Sequence, residues 1–392
     1  MLPRQGTAAD PAGDSAAARA AMVARLEADG DLGPGPVREA LLALPREVLM
    51  PQAYVRRSAA DEMPPRWELL DWAEPDDREE LLAVLHGGQS VLIQHDGEPL
   101  LGRPRRGRSG GGMTSMSTVM SLTSSLLEEL ALRQGHRVLD IGTGAGVTTA
   151  VACHVCGDQT VVTLDRDPHV TEAARARLGA LGYGPTLVSG NGEHGWPQQA
   201  PYDRILITYA LPYVPQACVD QLAPGGRLLV HVTTSSPSWP ALAVVTRKPD
   251  GRLQAQLRAV EYAHRAGHGM NRLYLSAAFR QRIAAGCAEE SEARAFRSVQ
   301  APPPDEARGF WLALDALHPG LVRHWGAGGL VSAHLAAAPG CLPTRTALVP
   351  GASPPAAHAT SGAKFTRPPH VGGPPARPRS TTSLSKKAGN SA

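Results

Sequence analysis

Residues 138 to 146 constrain the fold more than any other stretch of the chain. The β-branched and aliphatic residues of 138 to 141 predict a buried strand, and glycines follow at positions 142, 144 and 146 before a helical segment. Glycines clustered at a strand-to-helix turn let the backbone approach a ligand where a Cβ would collide. The stretch therefore predicts an α/β fold that binds a nucleotide-like ligand at this turn.

The acidic residues around this turn indicate which ligand binds. A dinucleotide fingerprint requires a glycine at position 147, where the chain has Val147, so a pyrophosphate ligand is disfavoured. Asp140 precedes the turn, and its charge suits a cationic amino group. A second strand ends at Asp165, where a carboxylate can accept hydrogen bonds from both ribose hydroxyls. These features favour S-adenosylmethionine, and a purely structural glycine turn in another α/β protein is the alternative.

Strands and helices alternate through the middle of the chain. Strands are predicted at 137–141, 160–164, 185–188, 203–208 and 227–233, and helices near 146–156, 168–181 and 216–222. Two further strands, near 241–246 and 253–262, form a predicted β-hairpin. The pattern is typical of a doubly wound, mainly parallel, Rossmann-like sheet, which binds its ligand at the carboxyl ends of the strands.

The flanking segments differ from this core in composition. Residues 1–14 are predicted to be disordered, and residues 15–130 form an N-terminal helical, substrate-side region with an insertion at 60–112. The core spans 131–262 and is followed by a C-terminal extension at 263–345. Residues 346–392 are poor in large apolar side chains and predict a disordered tail, since such a segment cannot offset its ordering entropy.

Composition excludes several classes of function. A net charge of +3 over 392 residues gives no basis for general nucleic-acid binding, and no apolar run is long enough to span a bilayer. A cytoplasmic protein without membrane or nucleic-acid partners is expected. Cys153 and Cys156 lie in the helix after the glycine turn without a second ligand pair, so we predict packed cysteines and no metal site.

A set of motifs in the order of one known family extends this interpretation. The chain resembles protein-L-isoaspartate O-methyltransferases over about residues 15 to 235, which implies a class I methyltransferase fold that uses S-adenosylmethionine. The motifs are Val37-Arg38, Pro45-Arg46-Glu47 with Pro51, the glycine turn, Gly182-Tyr183, Gly190-Asn191-Gly192, Gly195-Trp196-Pro197, Ala200-Pro201-Tyr202-Asp203, and Gln221-Leu222 with Pro224-Gly225-Gly226-Arg227.

The resemblance implies the site residues, and the chain departs from the family at two of them. An aspartate is usual where Asn191 stands, and the amide oxygen of Asn191 can still accept a hydrogen bond from the adenine amino group. The family's Ser-x-Pro, which binds the substrate carboxylate, corresponds to Thr118-Val119-Met120. We therefore predict Ser117 and Thr118 as catalytic residues, with helix capping as their alternative role. The predicted cofactor residues are Asp140, Gly142, Thr143, Gly144, Gly146, Asp165, Asn191 and Gly192.

Three functions follow from the resemblance. The insertion and the C-terminal extension resemble the family branch associated with lanthipeptides and graspetides, which implies methylation of an Asp in a ribosomally made precursor peptide and closure to an aspartimide. General repair of isoaspartyl proteins is the second function. A non-catalytic module that binds the cofactor or a peptide is the third, because two motifs are altered.

Other residues have structural and functional interpretations that the sequence leaves open. The basic segment 103–112 is either a mobile solvated loop or a clamp for an acidic peptide. Trp196 either packs under the adenine side of the site or fills the core. Asp203 is expected to be structural. His154, His169, His194 and His231 show no ligand spacing and are predicted to be surface or packing residues.

Overall fold

A computed structural model describes residues 11–59, 62–232, 241–260, 307–317, 321–325, 331–335 and 347–349. The helices are α1 (Pro11–Ala28), α2 (Pro36–Ala43), α3 (Arg46–Leu49), α4 (Arg78–His86), α5 (Met120–Leu130), α6 (Val147–Cys156), α7 (Pro168–Ala180), α8 (Gln216–Asp220) and α9 (Arg308–Leu317). The strands are β1 (Gln52–Arg56), β2 (Arg66–Asp71), β3 (Val91–His95), β4 (Arg108–Ser109), β5 (Met113–Ser117), β6 (Val138–Ile141), β7 (Val161–Asp165), β8 (Thr186–Ser189), β9 (Tyr202–Leu211), β10 (Leu222–Val232), β11 (Ala241–Arg247), β12 (Leu253–Ala259), β13 (Leu321–Trp325), β14 (Val331–Leu335) and β15 (Ala347–Val349).

The central sheet has seven strands in the order β12-β11-β10-β9-β6-β7-β8. Strands β8, β7, β6, β9 and β10 are parallel, and the β11–β12 hairpin adds two antiparallel strands at one edge. The chain order reverses between β6 and β9, which lie side by side although β7 and β8 separate them in sequence. The predicted doubly wound sheet and closing hairpin are confirmed, and the reversal locates the expected ligand crevice.

Burial explains why these strands could be recognised from the sequence. All four residues of β6 are buried, because the strand has neighbours on both sides and helices pack against the sheet. A strand in this position reads as a continuous apolar run, whereas a strand with one solvated face alternates. The glycine turn follows directly after this run, so a fully buried strand positions the ligand-facing backbone.

A second sheet lies in the N-terminal region, where only helices and one short strand were expected. It has five antiparallel strands in the order β4-β2-β1-β3-β5, and α4 packs on β1 and β2. The predicted insertion at 60–112 supplies β2, β3 and β4. These strands are short and their apolar residues do not alternate regularly, so their pairing depends on contacts distant in sequence, such as Gln52 opposite Asp71.

Several predicted boundaries differ from the structure or lie outside the described residues. Helix α1 begins at Pro11, inside the segment predicted to be disordered. Strand β15 falls within the predicted tail, and α9 resolves the ambiguity near residue 310 in favour of a helix. Most of the extension at 263–345 and most of the tail lie outside the described residues. Within the described part, no helix is long and apolar enough to cross a bilayer.

Candidate active site

A cavity of about 450 Å³ opens at the carboxyl ends of the parallel strands, beside the reversal of strand order. Its lining comes from the glycine turn, the ends of β7 and β9, strand β5 and the start of α5. This is the place where doubly wound sheets bind their ligands. Six of the predicted cofactor residues line it, namely Gly142, Thr143, Gly144, Asp165, Asn191 and Gly192.

The glycine turn is held by its neighbouring strands. Gly142 has φ 97°, and a Cβ at this position would overlap the hydroxyl of Thr208 on β9. That hydroxyl donates to the carbonyl of Gly142 at 2.9 Å. The amides of Gly142 and Thr143 both donate to the carbonyl of Leu164 on β7, at 2.7 and 3.2 Å. The turn therefore requires glycine at position 142, and its backbone is fixed before any ligand arrives.

Asp165 is positioned to bind a polar group of the ligand. Its Oδ2 accepts a hydrogen bond from the amide of Gly144 and its Oδ1 from the amide of Asp167, each at 3.1 Å. Burial raises the pKa of this carboxyl, and the two amide donors act in the opposite direction. Each carboxylate oxygen has a further lone pair, so the side chain can still accept from a ligand diol.

Asp140 and Gly146, two further predicted cofactor residues, do not line the cavity. Asp140 is 1% exposed, and its Oδ2 accepts hydrogen bonds from the hydroxyls of Thr148 and Thr149, both at 2.7 Å. Its Oδ1 has no partner among the described residues. Gly146 instead faces the side chain of Leu178, at 3.7 Å from the position of an added Cβ. An orphaned buried carboxylate oxygen fits a cationic ligand such as S-adenosylmethionine, which Asp140 would favour through its charge.

We expect the affinity for the cofactor to depend on the protonation of Asp140. Burial raises the pKa of this carboxyl to about 6, although hydrogen bonds from Thr149 and Thr148 lower it. A cation favours the ionised form, so affinity should be constant above about pH 7 and fall as the pH drops through about 6. Calorimetric titration with S-adenosylhomocysteine between about pH 5 and 8 measures this dependence. Asp140→Asn should flatten this pH dependence, and an unchanged slope would contradict the assignment.

Asn191 lies at the cavity and also organises the backbone that follows it. Its Oδ1 accepts a hydrogen bond from the amide of Glu193 at 3.1 Å, which caps the short 3-10 helix Gly192–His194. An amide oxygen has two lone pairs, so this bond leaves one acceptor position for an adenine amino group. The predicted contact with adenine is compatible with this geometry and stays a prediction.

Ser117 and Thr118 both line the cavity at the junction of β5 and α5. The N-cap of α5 is Val119, and no side chain makes a capping hydrogen bond there. The alternative role of these hydroxyls as helix caps is therefore not observed. The Ser117 hydroxyl is mostly buried and accepts a hydrogen bond from Nη2 of Arg46 at 3.4 Å.

The sequence predicts a surface or packing role for His231, and the structure buries this residue and also places it in the cavity lining. It lies near the carboxyl end of β10, is 3% exposed, and its Nε2 has no partner among the described residues. Burial lowers its pKa to about 4, so the imidazole is neutral at physiological pH. No motif surrounds His231, and only the strand's position in the sheet could have located it.

The five-stranded sheet also supplies cavity residues besides Ser117, and Gln94 among them carried no sequence signal. Gln94 of β3 lines the cavity, and its Nε2 donates a hydrogen bond to Oδ2 of Asp167 at 2.8 Å. Asp167 lies two residues after Asp165 in the sequence. The hydroxyl of Thr114 on β5 donates to the amide oxygen of Gln94 at 2.8 Å. A chain of hydrogen bonds thus connects the substrate-side sheet with the cofactor-side loop.

The basic segment at 103–112 is largely neutralised within the molecule. Arg103 and Arg108 both pair with Glu98, at 3.0 and 2.6 Å, and Arg105 pairs with Asp77 at 2.7 Å. Three of its arginines therefore hold the five-stranded sheet together. Arg106 takes no part in these ion pairs, and the clamp for an acidic peptide stays a prediction.

The remaining candidate residues have structural roles. Asp203 accepts a hydrogen bond from the amide of Arg137 at 2.8 Å, and Trp196 packs against the core instead of lining the cavity. Cys153 and Cys156 are buried and unpaired, and burial raises the pKa of both thiols, to about 11 for Cys156. Among the described residues, no cluster of His, Cys, Asp or Glu could hold a metal ion.

Known proteins of one family are similar to this chain. The family model for protein-L-isoaspartate(D-aspartate) O-methyltransferase (PCMT) matches residues 109–265. A protein-L-isoaspartate O-methyltransferase of Ignicoccus hospitalis is 28% identical over 243 residues, which are 62% of this chain and 93% of the relative. That of Methylorubrum populi is 39% identical over 38% of this chain and 66% of its own length. That of Rhodospirillum rubrum is 37% identical over 39% of this chain and 69% of its own length.

The sheet order and the cavity at its switch point define a class I methyltransferase. Together with these relatives, they show that the chain belongs to the protein-L-isoaspartate O-methyltransferase family. The protein is an S-adenosylmethionine-dependent O-methyltransferase. The predicted fold class, family, cofactor and enzymatic activity are thereby confirmed.

Proposed function

We propose that the enzyme methylates the carboxylate of an Asp or isoAsp residue in a dedicated, ribosomally made precursor peptide. The observation that carries this proposal is the five-stranded sheet, which the insertion at 60–112 extends by three strands and which contributes Gln94 and the strand Met113–Ser117 to the cavity lining. A repair enzyme has to accept many damaged proteins through an open groove. A substrate wall built on this sheet, to which the insertion adds three strands, favours one preferred peptide instead.

The chemistry requires few catalytic groups from the protein. The cofactor supplies a methyl group on a sulfonium, which a carboxylate oxygen takes while the carbon–sulfur electron pair stays on sulfur. A carboxylate has a pKa of about 4 and is ionised at neutral pH, so no general base has to remove a proton. The task of Ser117 and Thr118 is then to hold the carboxylate in line with the transferred methyl, because orientation alone contributes several kcal/mol (about 7 or more in favourable cases).

The methyl ester makes a subsequent ring closure easier. Methanol is a better leaving group than an oxide ion, so the neighbouring backbone nitrogen can attack the ester carbonyl and form a five-membered aspartimide. That step needs only the geometry of the peptide chain. No protein side chain has to act in it.

General isoaspartyl repair is the second candidate. Its support is the match to relatives named protein-L-isoaspartate O-methyltransferase, one of which is covered over 93% of its length. The two candidate functions share the cofactor, the carboxylate nucleophile and the site. They differ only in the peptide or protein that binds against the five-stranded sheet.

Methyl transfer to two peptides distinguishes these functions. We expect the purified enzyme, supplied with labelled S-adenosylmethionine, to methylate a matured precursor peptide encoded beside its gene with kcat/KM at least about 100-fold above that for an isoaspartyl hexapeptide. The control is the same precursor with its accepting Asp changed to Asn. A preference for the hexapeptide would support repair, and transfer to neither would exclude both functions.

A further inference from the structure

Arg46, the first residue of α3, is a buried cation that forms no ion pair with any described residue. Its side chain is 2% exposed, with Nη2 at 3.4 Å from the hydroxyl of Ser117 and Nη1 at 3.7 Å from the sulfur of Met22. Its Nε has no hydrogen-bond partner in the part of the chain that the structure describes. Among the described residues, no carboxylate lies within ion-pair distance of it. Buried guanidinium groups are usually paired, because an uncompensated charge in a protein interior is costly.

The residues around Arg46 do not neutralise it. Burial lowers the pKa of Arg46 to about 10, which leaves the group charged at neutral pH. The nearby His86 is also buried, and burial with the charges of Arg46, Arg19 and Arg25 lowers its pKa to about 3, so it stays neutral. Glu47, the next residue, accepts a hydrogen bond from Ser15 instead of pairing with Arg46. A positive charge therefore remains beside the cavity wall.

The direction of the Arg46–Ser117 hydrogen bond has a consequence for the cavity. Arginine can only donate, so the oxygen of Ser117 is the acceptor. The hydroxyl hydrogen of Ser117 is then free to donate to a group inside the cavity, which Ser117 lines and Arg46 does not. A substrate carboxylate would accept this hydrogen bond and also supply the missing negative charge.

We propose that Arg46 is a positioning residue that orients the Ser117 hydroxyl and, through its charge, makes the cavity select a carboxylate over a neutral carboxamide. This inference rests on the proposed function, since it concerns the same acceptor group. It assigns to the N-terminal helices a part in substrate choice, although they do not line the cavity.

Arg177 of α7 provides a matched control. It is also buried, and burial lowers its pKa to about 10. Its two Nη atoms donate to the carbonyls of Leu49 and Leu100, both at 3.1 Å, and neither of these residues lines the cavity. These two hydrogen bonds connect α7 to the N-terminal region. Among the described residues, Arg177 makes no hydrogen bond to the hydroxyls of Ser117 and Thr118.

The test compares Arg46→Met, Arg46→Gln, Arg46→Lys and Arg177→Met in the full chain. The substrate is whichever of the two peptides above the wild-type enzyme methylates faster, and the inhibitor is the same peptide with its accepting carboxylate replaced by a carboxamide. The ratio of the carboxamide Ki to the carboxylate KM measures selectivity. We expect Arg46→Met and Arg46→Gln to lower it about tenfold or more, chiefly by raising KM. Arg46→Lys and Arg177→Met should keep it within about threefold.

Stability and cofactor binding separate this role from a structural one. Arg46 donates to no backbone carbonyl among the described residues, so Arg46→Met should keep its Tm, whereas Arg177→Met should lose stability because the carbonyls of Leu49 and Leu100 lose their donors. The Kd for S-adenosylhomocysteine should stay unchanged in all Arg46 variants. If Arg46→Met fails to fold, the Gln and Lys variants decide between the outcomes. Wild-type selectivity in the neutral variants overturns the inference alone, whereas a wild-type enzyme that methylates neither peptide overturns the proposed function with it.

Discussion

Replacing Asp165 with Ala is expected to weaken binding of S-adenosylmethionine by about 100-fold or more. The substitution removes the carboxylate that faces the cavity at the end of β7, and a charged acceptor that loses its ligand hydrogen bonds costs several kcal/mol. It also releases the amides of Gly144 and Asp167, which the carboxylate now holds at 3.1 Å. Calorimetric titration with S-adenosylhomocysteine measures the loss. Equal affinity in the wild type and the variant would refute the assigned cofactor site.

Thr118→Ala is the companion variant, because Thr118 lines the same cavity from the substrate side. We expect it to retain wild-type affinity for S-adenosylhomocysteine and to lower methyl transfer about tenfold or more, since a misplaced nucleophile loses much of the advantage of alignment. A loss of cofactor affinity in Thr118→Ala would place this hydroxyl in the cofactor half of the site instead. The two variants together test whether the cavity has a cofactor half at Asp165 and a substrate half at Thr118, as the sequence predicts.

The cofactor half of the site could be predicted from the sequence because its determinants are local. The glycine turn follows a strand whose four residues are all buried, and Asp165 ends the next strand, so neighbouring residues encode both position and chemistry. Even here the sequence does not distinguish residues that line the cavity from residues that lie behind the lining. Asp140 and Gly146 belong to the same motif, yet the first is turned toward Thr148 and Thr149 and the second toward Leu178.

The substrate half could not be predicted in the same way, because distant segments assemble it. Strand β5 is polar and pairs with β3, and its residues reach the cavity only through a sheet whose strands are far apart in sequence. His231 reaches the cavity because β10 pairs with β9, and Arg46 reaches Ser117 across 71 residues of sequence. Contacts of this kind depend on tertiary packing, which local propensity does not encode.

Gly192→Ala tests whether the fold tolerates any side chain at the base of the cofactor site. An added Cβ would overlap Cγ2 of Ile141, the last residue of β6, and lie 2.8 Å from the hydroxyl oxygen of Tyr209. Because φ at Gly192 is not positive, the expected effect is purely steric. Overpacking of this kind costs about 1–3 kcal/mol, and the shift of Ile141 would displace the glycine turn that follows it.

We therefore expect Gly192→Ala to lower Tm and to weaken S-adenosylhomocysteine binding about tenfold or more. The control is Gly179→Ala, which makes the same substitution in helix α7 at a position with no heavy atom within 4 Å of the added Cβ. It should leave cofactor affinity unchanged and stabilise the helix by about 0.5–1 kcal/mol, because alanine has less conformational freedom to lose. A Gly192→Ala enzyme with the Tm and cofactor affinity of the wild type would show that Ile141 of β6 and Tyr209 of β9 can move aside at little cost, although both strands are mostly buried. The rigidity assigned to the glycine turn would then have to come from its hydrogen bonds to Leu164 and Thr208 alone.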